Sequence, residues 1–256
     1  MVVARGWRPS LVALAFAAAS VGGVVALPSS SAATSVTIWP LGDSITYGSG
    51  VHPHRVPGGY RVQLVRALAS RGIRVHFVGT MTTNPAAALT GAGQRHDGHP
   101  GWQTSEVLAH LAGWKVPPPD VVLVHLGTND LRHGRASPAE AAARLEQLLS
   151  ALSSRFPQAS LVVATIVPSG RAGQCDVTTS EYDGLVRELV RQQALMGRRV
   201  SLADAWSEFN YGPCTTRPGL LSRDAVHPSA AGYRLLGQAF AEVVAPLVES
   251  GRTLTP

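Results

Sequence analysis

Five short apolar runs rich in Val and Ile recur along the chain: Val36–Trp39, Val75–Val78, Val121–Leu126, Leu161–Val167 and Val200–Ala203. Several are apolar at every position, as strands covered on both faces should be. Between them, apolar residues return every three or four positions, the period of a helix with one buried face. Tyr60–Ser70 and Thr104–Trp114 fill the first gaps. Ser137-Pro138-Ala139-Glu140 is a capping box with proline at the first helical position, and Leu145, Leu148, Leu149 and Leu152 follow as one stripe. Thr178-x-x-Glu181 opens another helix carrying Leu185, Val186, Leu189 and Val190. The last is expected from Pro228 to Val248, burying Leu236, Phe240, Val243, Val244 and Leu247, with Pro246 ending or bending it. Strands alternating with helices predict an α/β domain with a five-stranded parallel sheet between two helical layers.

The N-terminal stretch breaks this pattern. Arg5 and Arg8 precede an apolar run from Leu11 to Leu27, and Ser31-Ala32-Ala33 supplies small residues for cleavage. That is the layout of a secretory signal peptide, expected over residues 1–33, with one domain over residues 34–256. An uncleaved anchor is the rival, weakened by Ser20, Gly22 and Gly23 inside the run. Export changes how the two cysteines read: one disulfide, Cys175–Cys214, is expected rather than two free thiols.

Composition narrows the classes further. The chain is 45% hydrophobic and 15% charged, which excludes a disordered chain of low hydrophobicity and high charge. The net charge is +6, and Lys115 is the single lysine, so the basic side is almost all arginine. The arginines are scattered, whereas a nucleic-acid binder clusters its cations along one face. No nucleic-acid partner is expected, and no stable membrane insertion once residues 1–33 are gone. A monomer is expected.

In an open parallel sheet, sites lie beyond the carboxyl ends of the strands. The unusual residues sit there: Gly42-Asp43-Ser44, Gly79 to Trp102, and Gly127-Thr128-Asn129-Asp130. No phosphate loop, dinucleotide fingerprint or His-Glu-x-x-His motif is present, so neither cofactor nor metal is expected. His52, His54, His96 and His99 lack metal-ligand spacing and read as solvated loop residues, and His110 and His125 as packing or surface positions. Ser44 can be a nucleophile if a base takes its proton, and His227 is the best base. Asp224, three residues earlier, can aim its carboxylate at the imidazole. An acyl transfer also needs donors to the oxyanion: the Ser44 N–H, a glycine N–H from the second loop and the Asn129 amide are candidates.

Gly42-Asp43-Ser44-Ile45, Gly127-Thr128-Asn129-Asp130 and Asp224-Ala225-Val226-His227-Pro228 resemble, in order, three blocks of the SGNH (GDSL-type) hydrolase superfamily. His96-Asp97-Gly98-His99-Pro100-Gly101-Trp102 resembles the remaining one. The resemblance implies a three-layer, flavodoxin-like fold with Ser44 as nucleophile, His227 as base and Asp224 as its orienter. It also implies an oxyanion hole of Ser44, Gly101 and Asn129; Gly101 is preferred to Gly79 or Gly98 because it precedes Trp102 and the next helix. Gly98-His99-Pro100-Gly101-Trp102 and Gly59-Tyr60-Arg61 look closest to carbohydrate esterase family 3, the acetyl xylan esterase-like branch. Asp97 departs from that branch, which more often has Glu, and so puts a substrate contact in doubt. The expectation is a secreted serine esterase removing short acyl groups from a small-molecule or polysaccharide ester. Its rivals are a lipase or phospholipase for longer acyl chains and a non-catalytic carbohydrate-binding protein of the same fold. Trp102 and Tyr47 are candidates to stack on a sugar.

Overall fold

In the computed structural model, which describes residues 1–2, 34–50, 55–132, 135–170, 173, 176–211 and 214–251, the first strand β1 (Ser35–Gly42) outruns its expected end at Trp39. It continues through Pro40, a residue that cannot donate to a ladder. The reason is positional. The carbonyls of Ile38 and Gly42 both face the same neighbour, accepting from Val78 and His99 at 2.9 and 3.0 Å. Pro40 therefore turns its missing N–H to that side, between the Ile38–Phe77 pairing and the Leu41–Asp97 pairing, where no strand partner stands. Its other side pairs normally with Leu123.

After β1 come α1 (Ser44–Tyr47), α2 (Arg61–Ala69), β2 (Arg74–Phe77), the two-residue β3 (Asp97–Gly98) and α3 (Thr104–Leu111). The chain continues through β4 (Val121–His125), α4 (Thr128–Leu131), α5 (Pro138–Arg155), β5 (Ser160–Ala164) and α6 (Val177–Leu195). It closes with β6 (Val200–Ala203), α7 (Ala205–Phe209), a small hairpin of β7 (Asn210–Tyr211) and β8 (Thr215–Thr216), and α8 (Ala230–Glu249). The long strands lie in the order β2-β1-β4-β5-β6, all parallel, and β3 extends the sheet beside the end of β1. The chain leaves β1 toward one edge and returns through β4 toward the other. The gap between the ends of β1 and β4 is the switch point at which such sheets hold ligands.

Alternation along the strands builds two cores. Ile38, Val121, Leu123 and Val162 face one layer with Leu64, Leu236 and Phe240 of α2 and α8. Trp39, Val122, Val124 and Val163 face the other with Val107, Leu148 and Val186 of α3, α5 and α6. Every second side chain lies on the same face, so a fully apolar strand feeds both layers.

The helix boundaries differ from expectation where a capping side chain decides them. Asp176, rather than Thr178, caps α6 by accepting from the Thr179 N–H at 3.1 Å. Ser229, rather than Pro228, caps α8 by accepting from the Gly232 N–H at 3.2 Å. Pro246 sits inside α8 without ending it. Leu185 is exposed, and Val243 and Leu247 are only partly buried. Arg61 departs from the scattered surface arginines: it is buried, donates to the Gln94 carbonyl at 2.9 Å, and burial lowers its pKa to about 10. The expected signal peptide (all but Met1 and Val2), His52, His54 and Cys175 lie outside the described residues. Cys214 is not a free thiol.

Candidate active site

At the end of β1, a Cβ on Gly42 would sit 2.6 Å from the His125 carbonyl and 2.2 Å from the Thr46 hydroxyl, so only glycine lets the chain turn this tightly. Asp43 caps the one-turn α1, its Oδ1 accepting from the Ile45 N–H at 2.8 Å. The turn ends at Gly48, with φ of +93°. Ser44 is thereby the first helical residue, presented at the carboxyl edge of the sheet. Asp43 itself is buried beneath it. Burial raises its pKa to about 7 against the Ile45 N–H, which lowers it, while the nearby Asp130 adds to the rise.

His227 reaches Ser44 from the loop before α8. That loop is pinned by Ser222 donating its N–H to the His227 carbonyl at 2.8 Å and by Ala225 at φ of +56°. Asp224 organises the turn. Its Oδ1 accepts from the Ser222 hydroxyl and the N–H groups of Val226 and His227, at 2.8, 3.0 and 2.9 Å. Its Oδ2 lies 2.7 Å from His227 Nδ1. Partial desolvation pushes the Asp224 carboxyl up, but these hydrogen bonds outweigh it and hold the pKa at about 2. An ionised carboxylate accepts, so Nδ1 carries the proton and Nε2 is left to accept. His227 Nε2 lies 2.8 Å from Ser44 Oγ. A nucleophile, a base and an orienting carboxylate thus stand in one hydrogen-bonded line.

The facing wall holds the oxyanion candidates, and the structure separates the three glycines. The Trp102 N–H donates to the His99 carbonyl at 3.2 Å, closing a turn with Pro100 second and Gly101 third at φ of +84°, the pattern of a type II turn. That bond leaves the Gly101 N–H unspent, and Gly101 lines the cleft with Ser44. The Gly98 N–H is already given to His96 Nδ1 at 3.0 Å. Gly79 packs against the His96 backbone instead. Asn129, in α4 after β4, also lines the cleft. Its amide donates to the Trp102 carbonyl at 2.9 Å and to Asp43 Oδ2 at 3.3 Å. The arrangement supplies a nucleophile facing several donors of partial positive charge, as acyl transfer requires.

Two readings, those of His96 and His99, are corrected here. His96 and His99 are not solvated, because β3 tucks their segment against β1. His96 is buried, its Nε2 donating to the Thr83 carbonyl at 2.9 Å, and burial lowers its pKa to about 4. His99 stacks on both Trp102 and Trp114, with ring centroids at 4.0 and 5.1 Å. Trp102 also stands 4.5 Å from the His110 ring and 6.2 Å from the Trp114 ring, so it packs in this aromatic cluster. Asp97 is buried and accepts from the Trp39 indole at 2.7 Å and the Thr80 N–H at 2.9 Å, which makes it a support of the loop and not a substrate contact. Tyr47 does line the cleft.

The cleft has a volume of about 430 Å³ and includes two residues that sequence reading passed over, Arg55 and Arg132. Arg132 was findable, since it ends α4 three positions after Asn129. Arg55 was not: only the fold brings its guanidinium over the Tyr47 ring, 5.4 Å from the centroid. Among the described residues no group of three or more His, Cys, Asp or Glu side chains is arranged to hold a metal ion.

Comparison with known proteins adds a family. Residues 41–235 match the family model described as the GDSL-like lipase/acylhydrolase family. A multidomain esterase of Ruminococcus flavefaciens is 29% identical over 255 residues, which cover 89% of this chain; the chain spans only 31% of that protein. Among solved structures, a Clostridium thermocellum family 3 carbohydrate esterase is similar with a TM-score of 0.68 and 25% identity, covering 85% of this chain and 98% of that one. A carbohydrate esterase family 3 structure from Talaromyces cellulolyticus shares the fold with a TM-score of 0.68 at 24% identity, covering 84% of this chain and 99% of that one.

Proposed function

Because the chain belongs to the GDSL-like lipase/acylhydrolase family, we propose that it is a serine esterase that removes short acyl groups, acetyl foremost, from carbohydrate esters. The observation that carries the reading is the line from Asp224 through His227 to Ser44, with its two links of 2.7 and 2.8 Å. In the first step Ser44 Oγ attacks the ester carbonyl carbon while its proton passes to His227 Nε2. The oxyanion is held by the N–H groups of Ser44 and Gly101 and by the Asn129 amide. Collapse breaks the bond to the sugar oxygen, which leaves with the proton from His227. Water, giving its proton to His227, then attacks the acyl-enzyme; the second collapse releases the carboxylic acid and restores the Ser44 hydroxyl. Asp224 keeps the imidazole in the acceptor tautomer and stabilises the imidazolium.

The likeness to carbohydrate esterases supports the sugar, and the resemblance of Gly98-His99-Pro100-Gly101-Trp102 to the acetyl xylan esterase-like branch supports the acetyl group. Acetate release from acetylated xylan, set beside p-nitrophenyl acetate and the palmitate ester, tests it. Turnover of acetate esters that vanishes in Ser44→Ala is expected, together with labelling of Ser44 by a fluorophosphonate. Undiminished turnover by Ser44→Ala refutes the mechanism, and a preference for palmitate refutes the short acyl group.

Export belongs to the same proposal, supported by Arg5, Arg8, the apolar run to Leu27 and the small residues before position 34. A secreted chain would carry the Cys175–Cys214 disulfide. Two alkylatable thiols in unreduced protein would rule that pairing out.

A further inference from the structure

Arg55 and Arg132 line the same cleft as Ser44 and His227. No carboxylate is among the residues that line it. Neither arginine has an ion pair with any described residue: Arg55 lies over Tyr47, and none of the six pairs of the described fold includes Arg132. The acids nearby are engaged elsewhere. Asp43 and Asp130 are buried, and Asp130 accepts from Arg144 at 3.2 Å. Asp224 is turned onto His227, and Asp176, beside Arg132 in a neighbouring depression, accepts from Ser169 and Thr179. The adjoining stretches 51–54 and 133–134 read Val-His-Pro-His and His-Gly, so they add no acid. The opening therefore holds two arginines with no carboxylate paired to either, and a guanidinium is shaped to take a carboxylate through two parallel hydrogen bonds.

We propose that the cleft selects carbohydrate esters whose sugar carries a carboxylate, as a uronic acid does. This rests on the carbohydrate-esterase reading above. Among the groups that sugars commonly bear, a carboxylate supplies the single negative charge that Arg55 and Arg132 lack. A partner of this kind also enters faster, since a charged cleft raises the local concentration of its counter-ion.

The test uses two methyl glycosides acetylated at the same hydroxyl, one of glucuronate and one of glucose. The expected result is a kcat/KM about tenfold higher for the uronate, mostly through KM, which is the size of one exposed charge-assisted hydrogen bond. The advantage shrinks with added salt, and it falls toward unity in Arg55→Gln and Arg132→Gln. Equal kcat/KM for the pair, or an advantage that survives both substitutions, overturns the proposal. A preference for a hemisuccinate over a butyrate ester, without one for the uronate, also overturns it by moving the anion to the acyl side. Binding of the unesterified glycosides to Ser44→Ala, followed by NMR titration, needs no turnover: tighter binding of methyl glucuronide supports the proposal and equal binding refutes it. If Ser44-dependent hydrolysis of p-nitrophenyl acetate persists without any uronate advantage, the esterase reading stands and this one falls. If the glucuronide binds better but no ester is turned over, the reverse holds.

Discussion

The Asn129 side-chain amide donates to the Trp102 carbonyl at 2.9 Å, which ties the loop after β4 to the turn that presents Gly101. Its second hydrogen bond, to Asp43 Oδ2, is longer at 3.3 Å and is the one that can yield to a substrate oxygen. Asn129 therefore joins the two walls of the cleft and, in the proposed mechanism, faces the place where negative charge develops. Asn129→Ala is expected to lower kcat by roughly 10²–10³ on p-nitrophenyl acetate with little change in KM, the cost of removing one oxyanion donor. A loss confined to KM would mean that Asn129 acts on ground-state binding alone.

Asp224→Asn keeps an oxygen for the Ser222, Val226 and His227 donors but replaces the acceptor of the His227 Nδ1 proton with an amide. The imidazole then loses its preferred tautomer, and kcat should fall by about 10²–10⁴ while the fold persists. Circular dichroism and thermal melting separate this from misfolding. A variant with wild-type kcat would remove Asp224 from the mechanism.

The glycines of the second loop should answer differently to alanine. A Cβ on Gly101 meets nothing within 4 Å, so Gly101→Ala bears only the strain of φ near +84°, about 1–2 kcal/mol. A Cβ on Gly98 would stand 2.4 Å from the Tyr47 nitrogen and force α1 away from the sheet. Gly98→Ala is expected to melt at the lower temperature. In Gly101→Ala the chief loss should be in kcat, since the displaced N–H faces the cleft. Equal melting temperatures would contradict the packing described at Gly98.

His125 gives the protein an acid weakness. Its imidazole is buried in β4 with neither ring nitrogen partnered, and burial lowers its pKa from 6.5 to about 4. On acidification the unfolded chain takes the proton first, so this contribution to stability is complete above about pH 6.5 and lost as pH falls toward 4. The loss is on the order of 3 kcal/mol by pH 4. His125→Leu should flatten the pH dependence of urea unfolding between pH 4 and 6.5, without a loss of stability at pH 7. Parallel curves for the two proteins would show that His125 does not titrate as its burial requires.

Much of this protein was legible in the residue pattern because the signals involved are local. Apolar strands alternating with periodic helices define a parallel sheet, Ser137 and Glu140 mark a helix start within four residues, and Asp224 needs only one turn to reach His227. The topology rule then directs attention to the segments after the strands, where Ser44 and Asn129 stand. What the sequence could not decide depends on contacts between distant segments. β1 passes through Pro40 only because the neighbouring edge is unpaired there. His96 and His99 look like solvated loop residues until the pairing of Asp97 and Gly98 with β1 tucks their segment against the sheet. The choice of Gly101 over Gly98 and Gly79 rests on which N–H is already spent and which residue lines the cleft. Arg55 and Arg132 meet at one opening although 77 positions separate them, and no local pattern records that. Periodicity and capping report free energies summed over neighbouring residues; burial, desolvation and charge around a cleft are summed over neighbours in space, and only the fold supplies those.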